Sequence, residues 1–382
     1  MHGVSRASEL RVAPDRRPTR SVLVVDHTSK PGGAELALPR LARETSLDWR
    51  FVFLEPTAGD LPFDAGTDVI SPGRRLNIIE QGLHLHRLLR QDRDRVVVSN
   101  TLRAAVIVTA VRPRGQDHVV ILHDGISPGS LSILRRLLTS AVLSLGVRDI
   151  VPNSEWTAAT VPGRFRHLVR RPVYSPSGIG EILPEVARVA SPRLRLLSLS
   201  RLVEWKGIHV ILEALQLLGP EIGSDRVELT IAGDNVMGPS SYRDALRATA
   251  ASSRFSVTFV PHQKDVAPLL ASHDVLVHAS TRPEPFGQVV VQGLAYGLAV
   301  LASADGGPAE IIRDGVSGLL HEPGDAAALA ATIRRLVVDR ETLPALGAAG
   351  RQRALDFTDA RCAQLLDSAI VGDEPVSEGE RA

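Results

Sequence analysis

Residues 281–293, TRPEPFGQVVVQG, place one carboxylate in a stiff setting. Glu284 lies between Pro283 and Pro285, and both prolines restrict the backbone beside it, so the sequence predicts a carboxylate with a fixed position. An apolar run with helical spacing follows, and the free backbone N–H groups at the start of this predicted helix could bind an anion. Gln292 lies about two turns along this helix, on roughly the same face as Glu284. The pattern therefore predicts an acidic side chain beside an anion-binding helix start.

Two cations stand near another predicted strand end, in residues 198–207, SLSRLVEWKG. The strand is predicted to end at Arg201, and Lys206 precedes Gly207 at the start of the next helix. Lysine is rare here, since it accounts for three of the 44 lysines and arginines. Two cations with free backbone N–H groups at a helix start favour a diphosphate site. A solvated loop is the alternative interpretation.

Paired glycines come directly before two further predicted helices. Gly32 and Gly33 follow the first predicted strand, in SKPGGAELAL, and Gly306 and Gly307 open GGPAEII. Glycine lets the backbone approach a ligand closely, although a bare turn is the alternative in both places. The dinucleotide fingerprint G-x-G-x-x-G occurs nowhere in the chain.

His123 and Asp124 end another apolar strand, VVILHDG, where both would face a cleft. A histidine there could bond a sugar hydroxyl or assist proton movement, whereas a loop-capping role is the alternative. The D-x-D spelling in residues 91–95, QDRDR, lies in a run of charges and favours a solvated surface. No metal site is therefore expected.

Short β-branched runs alternate with amphipathic segments, which predicts parallel βαβ units in an α/β fold. Helices are predicted in the first half near 33–46, 76–91, 101–111 and 129–145. The predicted strands are 21–26, 50–55, 95–100, 118–124, 149–154, 194–202, 227–234, 255–260, 274–280 and 298–304. Two doubly wound Rossmann-like halves would face a central cleft, with ligands beyond the carboxyl ends of the strands.

The domain boundaries follow from changes in composition. A proline-rich stretch predicts a linker between the halves, and polar ends predict disorder. The expected organisation is a disordered leader (1–20), a first domain (21–175), a linker (176–192), a second domain (193–356), a C-terminal helix packing back on the first domain (357–371) and a disordered tail (372–382).

Composition narrows the class of protein. A net charge of +1 and 4% aromatic residues argue against nucleic-acid binding. One cysteine, Cys362, excludes a disulfide framework and fits a cytoplasmic location.

Residues 129–146 are apolar with Arg135 and Arg136 together, so they could rest on an anionic membrane. A helix covering the sheet is the preferred interpretation, because a βαβ unit needs one there.

The whole arrangement resembles the retaining GT-B glycosyltransferases of glycosyltransferase family 4, over residues 21 to about 370. The motif E-x7-E of that group is seen here as EPFGQVVVQ, with Gln292 in the last place. SRLVEWKG, GGAE, HDG, VPNS, IAGD and GGPAEII match further family segments in order, although Ser200 replaces the glycine that usually precedes the arginine.

The resemblance implies roles for individual residues. Arg201 and Lys206 would grip the donor diphosphate, Glu284 would contact the donor hexose, and His123 would touch that hexose from the first domain. Donor-binding positions would also include Gly32, Gly33, Gly233, His262, Phe286, Gly287, Gln288, Val289, Gln292, Gly306 and Gly307. Gln292 would take the place of the glutamate that binds ribose. Asn100, Thr101 and Asp124 would face the acceptor.

The expected activity is a retaining, metal-independent transfer of a hexosyl group from a nucleotide-diphosphate sugar, without a cofactor. The acceptor would be a polysaccharide, a glycolipid or a natural product. Two alternatives stay open: a non-hydrolysing sugar-nucleotide 2-epimerase, and an inactive GT-B partner subunit. The protein would be cytoplasmic, with peripheral contact at the inner membrane face left open, and the sequence indicates no oligomeric state.

Overall fold

The computed structural model of the protein describes residues 21–30, 32–57, 61–126, 133–234 and 240–372. The predicted leader and residues 373–382 of the predicted tail lie outside this part of the chain.

The first half folds as a parallel sheet covered by helices on both faces. Its strands lie in the order β3-β2-β1-β4-β5-β6. They are β1 (Ser21–Asp26), β2 (Asp48–Phe53), β3 (Asp68–Ile70), β4 (Val96–Ser99), β5 (His118–Leu122) and β6 (Asp149–Pro152). The helices are α1 (Gly33–Glu44), α2 (Ile78–Gln91), α3 (Leu102–Val111), α4 (Ile133–Ser144) and α5 (Glu155–Ala159). Strand β1 lies at the centre and is buried on both faces, as its run of β-branched residues predicts.

The second half repeats the architecture, with the order β12-β11-β10-β7-β8-β9. Its strands are β7 (Leu194–Leu199), β8 (Val227–Ala232), β9 (Ser256–Val260), β10 (Val275–His278), β11 (Ala299–Ser303) and β12 (Leu319–His321). Its helices are α6 (Ile208–Leu217), α7 (Ser240–Ala251), α8 (Ala267–Ser272), α9 (Gln288–Ala295), α10 (Gly307–Ile311), α11 (Ala326–Val338) and α12 (Thr342–Ala354). The predicted class, two doubly wound α/β sheets, is confirmed.

Every strand predicted from the sequence is present, but several end earlier than predicted. Strand β7 ends at Leu199 rather than near residue 202, and the exposed Arg201 lies beyond its end. The short strands β3 and β12 were not predicted. Each has three residues and pairs at a sheet edge. A strand of this length is too short to give a periodic signal in the sequence.

Helix α4 lies within residues 129–146, for which membrane contact was the alternative to covering the sheet. Val142 and Leu143 are buried against the first sheet, whereas Leu137, Leu138 and Leu145 are exposed. The helix therefore covers the sheet over its last turns. Among the described helices, none combines the length and apolarity needed to cross a bilayer.

The last helix, α13 (Asp359–Val371), returns to the first half of the chain and packs beside α1. Leu366 and Ile370 join the apolar cluster under the first sheet. Asp367 fixes the contact, since its carboxylate accepts bonds from the Thr45 hydroxyl at 2.7 Å and from the Ser46 amide at 2.8 Å. The chain thus crosses between the halves twice.

Replacing the buried Asp367 with alanine should destabilise the first half by about 1 kcal/mol, because the Ser46 amide and the Thr45 hydroxyl would lose their acceptor. Denaturation followed by tryptophan fluorescence measures the loss. Asp339→Ala, at an exposed position on the end of α11, is the matched control and should change little. Equal stability of the two variants would show that this carboxylate does not fasten α13.

Candidate active site in the interdomain cleft

The carboxylate of Glu284 lies at the carboxyl end of β10 and is largely buried, with 15% of its side chain exposed. Oε2 accepts a bond from the Lys206 ammonium and another from the Ser280 hydroxyl at 3.0 Å. His278 Nε2 lies 3.3 Å from the same oxygen. The predicted fixed position is therefore secured by three side chains as well as by the flanking prolines.

This setting controls the charge of Glu284. Burial by itself raises the pKa of the carboxyl group, but the Lys206 ammonium and the bond from His278 outweigh it, so the pKa lies well below its usual range. Glu284 is therefore an anion at neutral pH. Because its negative charge is neutralised by Lys206, it is suited to hydrogen bonding rather than to nucleophilic attack.

Trp205 separates the two predicted cations. The Lys206 ammonium lies 4.3 Å from the centre of the indole ring, and the Arg201 guanidinium lies 6.0 Å from it. Arg201 is exposed at the strand end, and it has no ion pair within the described residues. The structure thus gives the two cations different settings: Lys206 is bound to Glu284, while Arg201 faces solvent and can meet a ligand anion.

The backbone of Gly306 and Gly307 packs against the backbone of Glu284. The Gly307 amide donates to the Glu284 carbonyl at 2.8 Å, and residues 284 and 306 form an isolated parallel bridge. A Cβ atom on Gly306 would lie 2.2 Å from the Glu284 carbonyl oxygen. Gly233 is comparable, since its amide donates to Val260 at 3.0 Å. The amides of Gly307 and Gly233 are therefore bonded within the protein, and the contact of these three glycines with a donor stays a prediction.

At the edge of the first sheet, buried polar residues form a chain of bonds that ends at His123. His123 Nε2 lies 2.8 Å from Asn100 Oδ1, and Asn100 Nδ2 donates to Asp26 Oδ2 at 2.6 Å. His27 Nδ1 lies 3.0 Å from the hydroxyl of Thr101, which also caps α3. Asn100 and Thr101, predicted to face an acceptor, are therefore engaged with neighbouring side chains.

The protonation of His123 follows from this chain. Burial lowers the pKa of the ring, so the imidazole is neutral at pH 7. Since the Asn100 oxygen accepts from Nε2, the proton lies on that nitrogen and Nδ1 is the acceptor. His123 can thus accept one hydrogen bond from a hydroxyl group.

Glu35 is a second acidic group of this edge. Its Oε2 atom lies over Gly32, at the start of α1. Burial and the charge of Asp26 raise the pKa of Glu35 to about 7, with a smaller contribution from Asp124. Asp124 itself is exposed. The first-domain wall of the cleft therefore carries three carboxyl groups, one of which titrates near neutral pH.

The starts of α1 and α9 meet across the cleft. Gln288 Nε2, from the first residue of α9, donates to the Gly33 carbonyl of α1 at 3.1 Å. Gln292, one turn later, donates to the Ser177 carbonyl at 2.8 Å. Glu310 of α10 accepts from the Trp156 amide at 2.6 Å. Side chains from the second half thus bridge to the first half and to the linker.

The remaining predicted residues differ in their exposure and contacts. His262 is exposed just beyond β9, and Val289 is partly exposed on α9. Phe286 is buried and stacks on Tyr174, with ring centres 5.4 Å apart. Gly287 caps α9 with a φ of 108°. The phenylalanine is therefore a packing residue, and only its backbone is available for a ligand.

Sequence reasoning missed Ser280, His278 and Asp26. Ser280 and His278 belong to the same strand end as Glu284, and their polarity beside an apolar strand was a usable signal. Asp26 ends β1 in the same way. Among the described residues, no three His, Cys, Asp or Glu side chains are grouped so as to hold a metal ion.

Comparison with known proteins agrees with this architecture. Residues 181–353 match the family model described as glycosyl transferases group 1. The Anabaena protein HepE, solved with UDP-glucose, superposes with a TM-score of 0.77 over 92% of this chain and 99% of its own, at 22% identity. The fold is GT-B. Sucrose-phosphate synthase from Thermosynechococcus elongatus gives a TM-score of 0.72 over 92% of this chain and 98% of its own, at 18% identity.

Sequence relatives match over shorter stretches. The lipopolysaccharide core biosynthesis glycosyltransferase LpsE of Rhizobium meliloti is 33% identical over 159 residues, 41% of this chain and 43% of the relative. Human alpha-1,3/1,6-mannosyltransferase ALG2 is 27% identical over 284 residues, 68% of each chain. The chain spans about two fifths of the length of the first curated relatives it matches.

Gly306 has a positive φ, and a Cβ atom at this position would meet the Glu284 backbone. Gly306→Ala should therefore lower the free energy of unfolding by about 2 kcal/mol or more. Gly315→Ala is the matched control, since Gly315 has a similar φ of 73° and open space around it. That control should lose only about 1 kcal/mol. Thermal unfolding of both variants measures the difference, and equal losses would contradict the close packing of residues 284 and 306.

Glu35→Gln should change the pH dependence of stability. A carboxyl group with a raised pKa destabilises the folded protein as pH rises from about 4.5 to about 7. The variant lacks this penalty, so it should exceed the wild type by about 1 to 2 kcal/mol at pH 8, allowing for partial exposure, and by little at pH 5. Denaturation at both pH values tests this, with exposed Glu44→Gln as the control. A pH-independent difference would place the pKa of Glu35 in its ordinary range.

Proposed function

We propose that the protein is a retaining glycosyltransferase that moves a hexosyl group from a nucleotide-diphosphate sugar to a carbohydrate, lipid-linked or natural-product acceptor. The observation that carries the proposal is the meeting of three features at one edge of the cleft. The buried Glu284–Lys206 pair, the exposed guanidinium of Arg201 and the facing starts of α1 and α9 all converge there.

These features suit the two parts of a nucleotide sugar. Arg201 and the backbone N–H groups at the two helix starts offer positive potential to a diphosphate. Glu284, fixed and ionised, offers its free lone pairs to hexose hydroxyls. The match of residues 181–353 to the glycosyl transferases group 1 model supports placing the donor on the second domain.

In the proposed reaction, the bond between the anomeric carbon and the diphosphate oxygen breaks, and the acceptor hydroxyl forms the new bond on the same face of the sugar. The acceptor proton passes to the departing diphosphate. Arg201 and the helix starts stabilise the negative charge that develops on this leaving group, without requiring a metal ion or a cofactor. Glu284 is held by Lys206 throughout, so it orients the hexose rather than attacking it.

The acceptor is expected at the first domain. His123 Nδ1 can accept a bond from a sugar hydroxyl, and Glu35 and Asp124 line the same wall. LpsE acts in lipopolysaccharide core biosynthesis and ALG2 is a mannosyltransferase, which supports a sugar-bearing acceptor. Buried, free Cys362 is compatible with the cytoplasmic location that the sequence predicts.

The test is to incubate the purified protein with a panel of nucleotide-diphosphate sugars and candidate acceptors, and to follow release of the nucleoside diphosphate. Proton NMR of the glycoside reads the anomeric configuration, and chelator should leave the rate unchanged. Interconversion of a nucleotide sugar with its 2-epimer, without transfer, would establish the epimerase alternative. Absence of both binding and turnover would favour the inactive subunit.

Arg201→Ala should weaken binding of UDP by about tenfold or more, since a charge-assisted contact contributes about 1.5 to 3 kcal/mol. Calorimetry with UDP measures this. Arg335→Ala, which removes an exposed arginine from α11, is the matched control and should bind as the wild type does. An unchanged UDP affinity in a folded Arg201→Ala protein would remove the diphosphate site from the proposal.

A further inference from the structure

The chain passes between its two halves through residues 176–179, here named the crossing segment. Asp359 Oδ1, at the start of α13, accepts bonds from the amides of Ser177 at 2.9 Å, Gly178 at 3.0 Å and Ile179 at 3.3 Å. Arg40 of α1 donates to the Pro176 carbonyl at 3.0 Å. The crossing segment is thus fastened to α1 and α13, the two helices that pack together on the first sheet.

Helix α9 grips the same segment from the second half. Gln288 Nε2 donates to the Pro176 carbonyl at 3.1 Å as well as to Gly33. Gln292 Nε2 donates to the Ser177 carbonyl at 2.8 Å. The two glutamines are four positions apart, so they project from one face of the helix. Helix α9 begins directly behind Glu284, and these amides join it to the crossing segment.

The chemistry of these contacts requires a hydrogen-bond donor. A carbonyl oxygen only accepts hydrogen bonds, so its partner must donate, and a side-chain amide has two N–H donors. An ionised glutamate has none. At position 292 a carboxylate would place its oxygens against the Ser177 carbonyl, which is repulsive. The glutamine in the last place of the motif therefore fits this backbone, whereas an ionised glutamate does not.

We propose that Gln292 is a positioning residue that fastens α9 to the crossing segment and thereby holds the two halves of the cleft together. This assignment differs from that of a ribose ligand. The assignment depends on the proposed function in one respect, because that function places the donor site at α9. Gln288 acts in the same way one turn earlier, with Gly33 as its additional partner.

The expected consequence of Gln292→Glu is a more open cleft. Spin labels on Arg87→Cys, exposed on α2, and Ala331→Cys, exposed on α11, report the distance between the halves. The native Cys362 is 1% exposed and should not be labelled. Without ligand, the ratio of closed to open molecules should fall by about tenfold in Gln292→Glu, because one bond is lost and a repulsion is added. Gln288→Glu should shift the distances in the same direction.

The matched control is Gln216→Glu, which adds the same charge at an exposed position on α6. It should keep the wild-type distances. If Gln292→Glu fails to fold, Gln292→Ala removes the donor without adding a charge and should open the cleft by a smaller factor. Wild-type distances in folded Gln292→Glu, or in Gln292→Ala where that variant takes its place, would overturn the proposal.

Calorimetry with UDP and 2'-deoxy-UDP separates the two roles of Gln292. A positioning role predicts that Gln292→Glu binds both probes several-fold more weakly and by the same factor. A ribose role predicts that UDP binds more tightly to Gln292→Glu and that only UDP responds, which would also overturn the proposal. If the wild type binds UDP and no other nucleoside diphosphate, or none at all, the ligand-free distances still decide the role of Gln292, and only the absence of binding to every nucleoside diphosphate and nucleotide sugar tested would count against the proposed function.

Discussion

The buried charge of Glu284 is the constraint on which the cleft depends. A carboxylate with so little exposure must be paired, and Lys206 supplies the pairing from a different strand end of the same sheet. The pair therefore fixes the loop after β10 against the turn after β7. Trp205 packs beside the ammonium, and the glycines at the start of α10 let their backbone lie against that of Glu284. Removing either charge would leave its partner buried and unpaired.

Hydrogen bonds to the backbone of the crossing segment couple the two halves of the molecule. Amides from α9, the guanidinium of Arg40 and the carboxylate of Asp359 all converge on four residues of the crossing segment. Single hydrogen bonds of this kind contribute only about 0.5 to 1.5 kcal/mol each, so a few of them can hold a cleft closed and still permit it to open. The proposed function, in which a nucleotide sugar is admitted and a diphosphate is released, requires such a balance.

Local patterns were sufficient to predict the sheets but not the partners within the site. The central strands are continuous runs of β-branched residues, and their type follows from burial on both faces. The Glu284 turn was also readable, because prolines act on adjacent backbone. The partners were not: Lys206 lies 78 positions from Glu284, and Ser177 lies 115 positions from Gln292. Contacts at such separations are set by strand order, which a single sequence does not specify residue by residue. For the same reason, the expectation that Gln292 contacts ribose had to come from a resemblance, whereas the bond to Ser177 came from the fold.

The two walls of the cleft differ in charge, and this difference bears on the direction of the proposed transfer. The second domain presents the exposed guanidinium of Arg201, while the negative charge of Glu284 is neutralised by Lys206. The first domain presents Asp26, Glu35 and Asp124, with neutral His123 among them. Within the proposed transfer, the exposed guanidinium of Arg201 draws a departing diphosphate toward the second domain, while the carboxyl groups of the first domain leave it only the backbone N–H groups at the start of α1. The same carboxyl groups favour the hydroxyl groups of an acceptor, which can donate to them, over a competing anion. In the proposed reaction, this charge distribution favours the leaving group at the second domain and the acceptor at the first.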